Sequence, residues 1–238
     1  MNIDYVVIGS NLNPLYLDFW PVISKVWKEK FSITPVLGLI CDEDSDFIES
    51  DFGIVKKFKQ IDNLDTGLQS QIVRLYLPKL LSGNCLISDI DILPLSKKYF
   101  KDIPKLFNEN DFVIFSADNP ECLATRQFPM CYVLGNSDKY KEIFDLDLNW
   151  SDFCSHLNSF GWGWFTDQRY LYEKVIEKKE SCKFLKRGWQ GLANYRIDRA
   201  YWRYDDNLIG DGYYIDSHLL RPYSQHKSEI DKIISLIK

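Results

Sequence analysis

Residues 84–95 read Asn84-Cys85-Leu86-Ile87-Ser88-Asp89-Ile90-Asp91-Ile92-Leu93-Pro94-Leu95. A run of apolar residues ends there in two carboxylates one residue apart, where a buried strand reaches the surface. Side chains alternate between the two faces of a strand, so Asp89 and Asp91 are expected to project the same way while Ile90 turns back into the core. Two hard oxygen donors then converge on one cation. Mg²⁺ or Mn²⁺ held by few carboxylates keeps coordination positions for substrate phosphates, which points to a phosphate-bearing ligand rather than a closed structural site. In a chain with 34 acidic residues an isolated Asp-x-Asp is more often a solvated loop, so its surroundings must decide.

Working outward, residues 4–9 read as a first buried strand and Pro14–Lys30 as a helix with Leu15, Phe19, Val22, Ile23 and Val26 on one face. Thr34–Cys41 and Gly53–Phe58 follow as strands, and a helix over about Leu68–Leu81 leads into the strand that ends at Asp89. Beyond it come strands at Asp111–Ser116 and Met130–Leu134 and short helices at Asp138–Phe144 and Ser151–Asn158. Another helix is expected to start at Thr166, a residue type suited to the N-cap, and to run to about Glu177. From there to Arg221 the sequence is aromatic and irregular, and Ser228–Lys238 closes as an amphipathic helix docked on the core. This β-α alternation predicts an α/β fold with a mostly parallel central sheet flanked by helices. In such sheets ligands bind beyond the carboxyl ends of the strands, and Asp89 and Asp91 sit at one such end.

The chain has 238 residues, 45% of them hydrophobic, with no linker, charge block or internal repeat to divide it, so one domain is expected rather than two. The start, Met1 to Gly9, carries an acid and no basic region, and no apolar stretch reaches the roughly 18 residues of a membrane span. A cytoplasmic protein without a transmembrane segment is the expectation. Cysteines 41, 85, 122, 131, 154 and 182 include no C-x-x-C pair and are read as reduced thiols, neither zinc ligands nor a disulfide framework. A net charge of −5 argues against nucleic acid as a partner. The Lys-rich stretch from Lys174 to Arg187 reads as a solvated helix face, with peripheral contact to anionic lipid or acceptor phosphate as its alternative.

Four segments, in order along the chain, resemble the GT-A-fold glycosyltransferases, and among them the family 8-like bacterial galactosyl- and glucosyltransferases. They are Val7-Ile8-Gly9-Ser10-Asn11 after the first strand; Gln71 to Pro78 followed by Asp89-Ile90-Asp91; Phe165-Thr166-Asp167-Gln168; and Asp216-Ser217-His218-Leu219-Leu220-Arg221-Pro222. The resemblance implies a single GT-A domain over 1–238, with a nucleotide-binding half over 1–115, a donor-sugar and acceptor half over 116–222, and a C-terminal helix over 223–238. It implies transfer of a hexose from a nucleotide-sugar donor, a uridine one, to a hydroxyl of a saccharide acceptor in cell-surface glycan synthesis. Ile8, Gly9 and Ser10 would cradle the nucleoside, and Arg74 and Arg221 would reach the donor phosphates. Asp89, Asp91 and His218 would hold Mn²⁺, or Mg²⁺, the imidazole tilting the choice to Mn²⁺. Asp167 and Gln168 would face the reacting sugar, a pair that leans towards retention of configuration.

Elementary chemistry agrees. A nucleoside diphosphate leaves as an anion that a cation and fixed guanidinium groups stabilise. Trp162 and Trp164, bracketed by Gly161 and Gly163, offer indole faces to a pyranose, and Asp118, past a strand end, could bond donor-sugar hydroxyls. The chain departs from the family in lacking the acid often found in the first loop and in a short His-to-Pro segment with Arg221 where Lys is common. Two rival classes remain. A haloacid-dehalogenase-type phosphohydrolase would use Mg²⁺ with Asp205-Asp206 as a second acidic pair, and a non-catalytic relative would keep only sugar or nucleotide binding.

Overall fold

The computed structural model describes residues 1–115, 117, 123–185 and 195–238. β1 (Tyr5–Asn11), β2 (Thr34–Cys41), β3 (Phe47–Glu49), β4 (Ile54–Lys59), β5 (Asn84–Ile87), β7 (Phe112–Phe115), β8 (Val133–Asn136) and β9 (Cys182–Leu185) form one sheet in the order β3-β4-β2-β1-β5-β8-β7-β9. Pairing is parallel from β4 through β2 and β1 to β5, and again between β7 and β9; β3, β8 and their partners run antiparallel. A second sheet, β10 (Tyr195–Ile197), β11 (Tyr214–His218) and β6 (Ile92–Pro94), lies in the order β10-β11-β6.

The period of two along each central strand feeds two cores. Val6 and Ile8 of β1, Leu86 of β5 and Val113 and Phe115 of β7 pack into one hydrophobic cluster, with α2 (Trp20–Phe31) and the C-terminal α8 (Tyr223–Leu236). Val7, Cys85, Ile87, Phe112 and Ile114 pack into the other, with α3 (Thr66–Tyr76), α4 (Ser137–Phe144), α5 (Trp150–Ser159) and α6 (Thr166–Glu177). Strands covered on both faces read as continuous apolar runs, which is why β1 and β5 are legible in the sequence.

The expected helix over Pro14–Lys30 is two, α1 (Pro14–Leu17) and α2, because Pro21 lacks the N–H that would bond the Leu17 carbonyl. Asp65 caps α3, its Oδ1 accepting from the Leu68 N–H at 2.8 Å, and the helix tightens to a 3₁₀ turn over Leu77–Leu80. Thr166 begins α6 but does not cap it; its hydroxyl donates to the Gly163 carbonyl at 2.7 Å. The aromatic stretch before Arg221 contributes β10, the short helix α7 (Asp206–Gly210) and β11.

α3 lies directly on β1 at Gly9, where an added Cβ would run into the Ser70 carbonyl oxygen and the Val73 side chain. Gly9→Ala is therefore expected to lose about 1–3 kcal/mol of stability as helix and strand are forced apart. Denaturant unfolding checks this, and an unchanged midpoint would refute the close-packing account.

Cys41, Cys85, Cys131, Cys154 and Cys182 are free thiols, and Cys122 lies outside the described residues. Among the described residues no helix is long and apolar enough to cross a membrane. In the Lys-rich stretch, Lys174 and Lys178 both pair with Asp145, at 2.7 and 2.5 Å, while Lys186 and Arg187 lie outside the described residues.

Candidate functional site

A cavity of about 770 Å³ opens beyond the carboxyl ends of β1 and β5. That is the size of a site for a drug-sized or cofactor-sized molecule. Gly9, Ser10 and Asn11 form one wall, Ser70, Gln71 and Arg74 of α3 a second, and Asp89, Ile90 and Asp91 the floor; Gln168, Arg199, His218 and Arg221 close the far side.

Pairing between β1 and β5 ends at Val7 and Ile87, so Asp89 and Asp91 stand past the strand. They lie in a turn closed by the Ile92 N–H donating to the Asp89 carbonyl at 3.3 Å. The strand alternation expected from the sequence does not extend to them, and their carboxylates part company. Asp89 pairs with Arg74 and Asp91 with Arg199.

Arg74 is buried between two acids. Nη1 donates to Asp89 and Nη2 to Asp167 Oδ2 at 2.5 Å. Burial disfavours its charge, yet Asp89 and Asp167 together hold its pKa above the ordinary value. Asp167 itself is 1% exposed and does not line the cavity; its Oδ1 accepts from the Gln168 N–H at 2.8 Å. The sequence expectation had Asp167 facing the reacting sugar. The structure instead places it behind Arg74, with Gln168 at the cavity wall.

Asp91, also buried, is the centre of the opposite pole. Its Oδ2 accepts from Arg199 Nη2 at 2.9 Å and lies 3.5 Å from His218 Nε2 and 3.9 Å from Arg221 Nη1. The same Arg199 Nη2 also contacts His218 Nε2. Burial lowers the His218 pKa against the pull of Asp91, and Arg199 and Arg196 push it the same way as burial. Arg221 rests its guanidinium 4.9 Å from the centre of the Tyr16 ring.

β11 brings His218 here. It runs antiparallel to β6 with His218 opposite Ile92, and the Leu219 N–H donates to the Asp91 carbonyl at 2.9 Å. Asp216, also in the fourth matching segment, is anchored away from the cavity, accepting from Arg196 at 2.5 and 2.8 Å and from the Tyr132 hydroxyl at 2.7 Å.

The remaining expected residues separate. Gly9 and Ser10 reach the cavity, while Ile8 is wholly buried in the sheet. Trp164, 58% exposed, stands at the cavity, whereas Trp162 stacks on Phe160 at 4.5 Å and is not among its walls. Asp118 lies outside the described residues. Asp205 caps α7 and Asp206 pairs with Lys232 at 2.9 Å, so the second acidic pair of a phosphohydrolase is not at this cavity.

Among the lining residues that the sequence did not single out are Gln71 and Arg199. Gln71 is buried, and among the described residues its Oε1 has no hydrogen-bond donor. Arg199 sits in the irregular region where no periodicity marks it.

Mn²⁺ or Mg²⁺ is what the resemblance read from the sequence implies, and the donor types at this pole, a carboxylate and an imidazole, are of the kind such an ion takes. Asp91 Oδ2 and His218 Nε2 already converge on a single cationic nitrogen, and a carboxylate with an imidazole suits Mn²⁺. Among the described residues, however, no three His, Cys, Asp or Glu side chains converge closely enough to hold one ion, because Asp89 is turned to Arg74.

Solved structures supply the wider likeness. An active-site mutant of LgtC is 12% identical, with a TM-score of 0.51 over 92% of this chain and 88% of its own. The galactosyltransferase LgtC in complex with donor and acceptor sugar analogues is 11% identical, with a TM-score of 0.50 over 98% and 96%. This chain has the GT-A glycosyltransferase fold. The glycosyltransferase GlyE of Streptococcus pneumoniae TIGR4 is 13% identical, with a TM-score of 0.51; all of this chain matches 62% of GlyE. No family model and no curated protein matches the sequence. In the GT-A fold the cavity described above lies at the carboxyl ends of the parallel strands, where open α/β sheets bind ligands.

Proposed function

We propose that the protein is a metal-dependent hexosyltransferase that uses a nucleoside-diphosphate sugar, a uridine one, and a saccharide hydroxyl as acceptor, in cell-surface glycan synthesis. The observation that carries this is the convergence, in a cavity of about 770 Å³, of His218, Arg199 and Arg221 around one carboxylate oxygen of Asp91. That pole suits a diphosphate and its counter-ion. The whole chain is proposed as one GT-A domain with the halves drawn from the sequence.

Arg221 would grip the phosphates through its forked N–H groups, its stem steadied on Tyr16. Gly9 and Ser10 would border the nucleoside, and the unpartnered Gln71 Oε1 would accept an N–H or O–H from the donor. Asp91 and His218 would hold Mn²⁺ or Mg²⁺, and Asp89 would join them as the third donor drawn from the sequence by leaving Arg74. Bound there, the ion supplies Lewis-acid stabilisation to the leaving diphosphate. Gln168 would line the face of the sugar and Asp167 would position Arg74 and the Gln168 backbone, acting through them rather than on substrate. An amide rather than a carboxylate at that wall favours retention. Trp164 would stack on the acceptor.

The test is calorimetric and thermal-shift binding of nucleoside diphosphates and nucleotide sugars, with and without Mn²⁺. A ligand that binds the folded state raises the melting temperature. Metal-dependent stabilisation by UDP is expected. No response to any nucleotide, with hydrolysis of simple phosphate esters, would replace this reading with a phosphohydrolase. Arg221→Ala is expected to weaken UDP binding by about 1.5–3 kcal/mol, the worth of hydrogen bonds to a charged group. Unchanged UDP affinity would remove Arg221 from the phosphate site.

A further inference from the structure

Two atoms at the Asp91 pole share one partner. Asp91 Oδ2 and His218 Nε2 both contact the same nitrogen, Nη2 of Arg199. These are the two donor atoms that would face a metal ion, and a nitrogen in contact with both stands where the ion would have to be. Nη2 and a divalent cation are therefore mutually exclusive.

Electrostatics sharpens the conflict. Arg221 Nη1 lies 3.9 Å from the same Asp91 oxygen, so the pole already carries two guanidinium groups against one carboxylate. Asp89, the other carboxylate of the turn, is committed to Arg74. A divalent ion entering alone would meet two fixed positive charges in a half-enclosed site, where like charges repel more strongly than in water. A diphosphate changes the balance. It gives the displaced guanidinium an anion to pair with, inside a cavity that Arg199 already lines.

We propose that Arg199 is the resident cation of this site, holding the metal position between Asp91 and His218 and making divalent-ion binding contingent on the diphosphate. Metal and nucleotide then bind cooperatively, each raising the other's affinity by the same factor. This rests on the assignment of Asp91 and His218 as metal donors.

The deciding measurement is Mn²⁺ binding without nucleotide, followed by electron paramagnetic resonance of the free ion, for wild type and Arg199→Gln. The variant is expected to bind Mn²⁺ at least about tenfold more tightly, within the usual range of coupling between sites. Arg199→Gln binding no tighter than wild type overturns the proposal. Arg199→Lys keeps the charge and should stay close to wild type; a gain equal to that of Arg199→Gln would also overturn it. Adding His218→Ala to Arg199→Gln should abolish the gain, and tight binding that survives it would place the ion elsewhere and sink the proposal. Circular dichroism and melting of each variant confirm that folded proteins are compared.

Repeating the titrations with UDP separates the two readings. UDP should raise the wild-type Mn²⁺ affinity more than that of Arg199→Gln; an equal rise in both would deny the coupling. A wild type indifferent to UDP would defeat the transferase reading, while the Mn²⁺-alone comparison would still decide whether Arg199 guards the metal position.

Discussion

Asp91→Asn is expected to cut the proposed metal-dependent hexosyl transfer by about a hundredfold or more, beyond what loss of an outer-shell partner of a metal site brings, while the protein still folds. The asymmetry follows from what Asp91 touches. Its backbone carbonyl accepts from the Leu219 N–H at 2.9 Å, a bond the substitution leaves in place and one that ties the turn to the end of β11. Its side chain, in contrast, presents one oxygen to Arg199, His218 and Arg221. Asparagine keeps the shape and removes the negative charge, so the two guanidinium groups lose their counter-ion and the proposed metal ion would lose its hard anionic donor. Transfer rates with a Mn²⁺ titration, alongside a thermal melt, measure both halves. A variant with undiminished turnover would remove Asp91 from the metal site, and one that fails to fold would make its role architectural.

The second large effect is on stability. Arg74→Met is expected to cost about 3–5 kcal/mol at neutral pH, the usual penalty for stripping a buried ion pair of one partner. Asp167 is 1% exposed, and the Arg74 guanidinium 2.5 Å away is the cation that compensates it. Asp89 is a third exposed and can turn to water. Burial already pushes the Asp167 carboxyl above the ordinary carboxylate range despite Arg74, and losing the guanidinium would push it further. The sign of the pH dependence follows. A carboxyl whose folded pKa exceeds its unfolded value, about 3.9, binds its proton more tightly in the folded state. Its favourable contribution is complete below the unfolded pKa and is lost as pH rises through the folded one. The deficit of Arg74→Met should therefore be largest at neutral pH and shrink towards pH 4. Adding Asp167→Asn should restore part of it, because the amide carries no charge to strand. Urea unfolding of the single and double variants at several pH values reads all three, and a pH-independent deficit would show that Arg74 matters through packing.

Local patterning carried much of the architecture. β1, β2 and β5 were visible because strands buried on both faces must be apolar throughout, and the start of Thr166–Glu177 was marked by a residue type suited to a helix N-terminus. The Pro14–Lys30 helix was drawn too long because its apolar face runs on through Pro21, where only the missing N–H breaks the ladder. The acidic turn stood out because two carboxylates after an apolar run are conspicuous in any reading of the chain.

The partners of those carboxylates were beyond local reading. Asp89 and Asp91 sit past the last paired residue of β5, so no strand rule governs where they point. Asp167 was expected at the reacting sugar through the resemblance of Phe165-Thr166-Asp167-Gln168, and its burial follows from α6 packing beside α3 so that Arg74 covers it. Arg199 had no periodicity to mark it. It meets Asp91 and His218 because β10 and β11 form a separate sheet with β6, whose antiparallel register sets His218 opposite Ile92. Periodicity reports which face of an element is buried, and that is a property of neighbours along the chain. Which charge neutralises which is settled by the pairing of segments far apart in sequence, and that pairing made Arg199, rather than Asp89, the companion of Asp91.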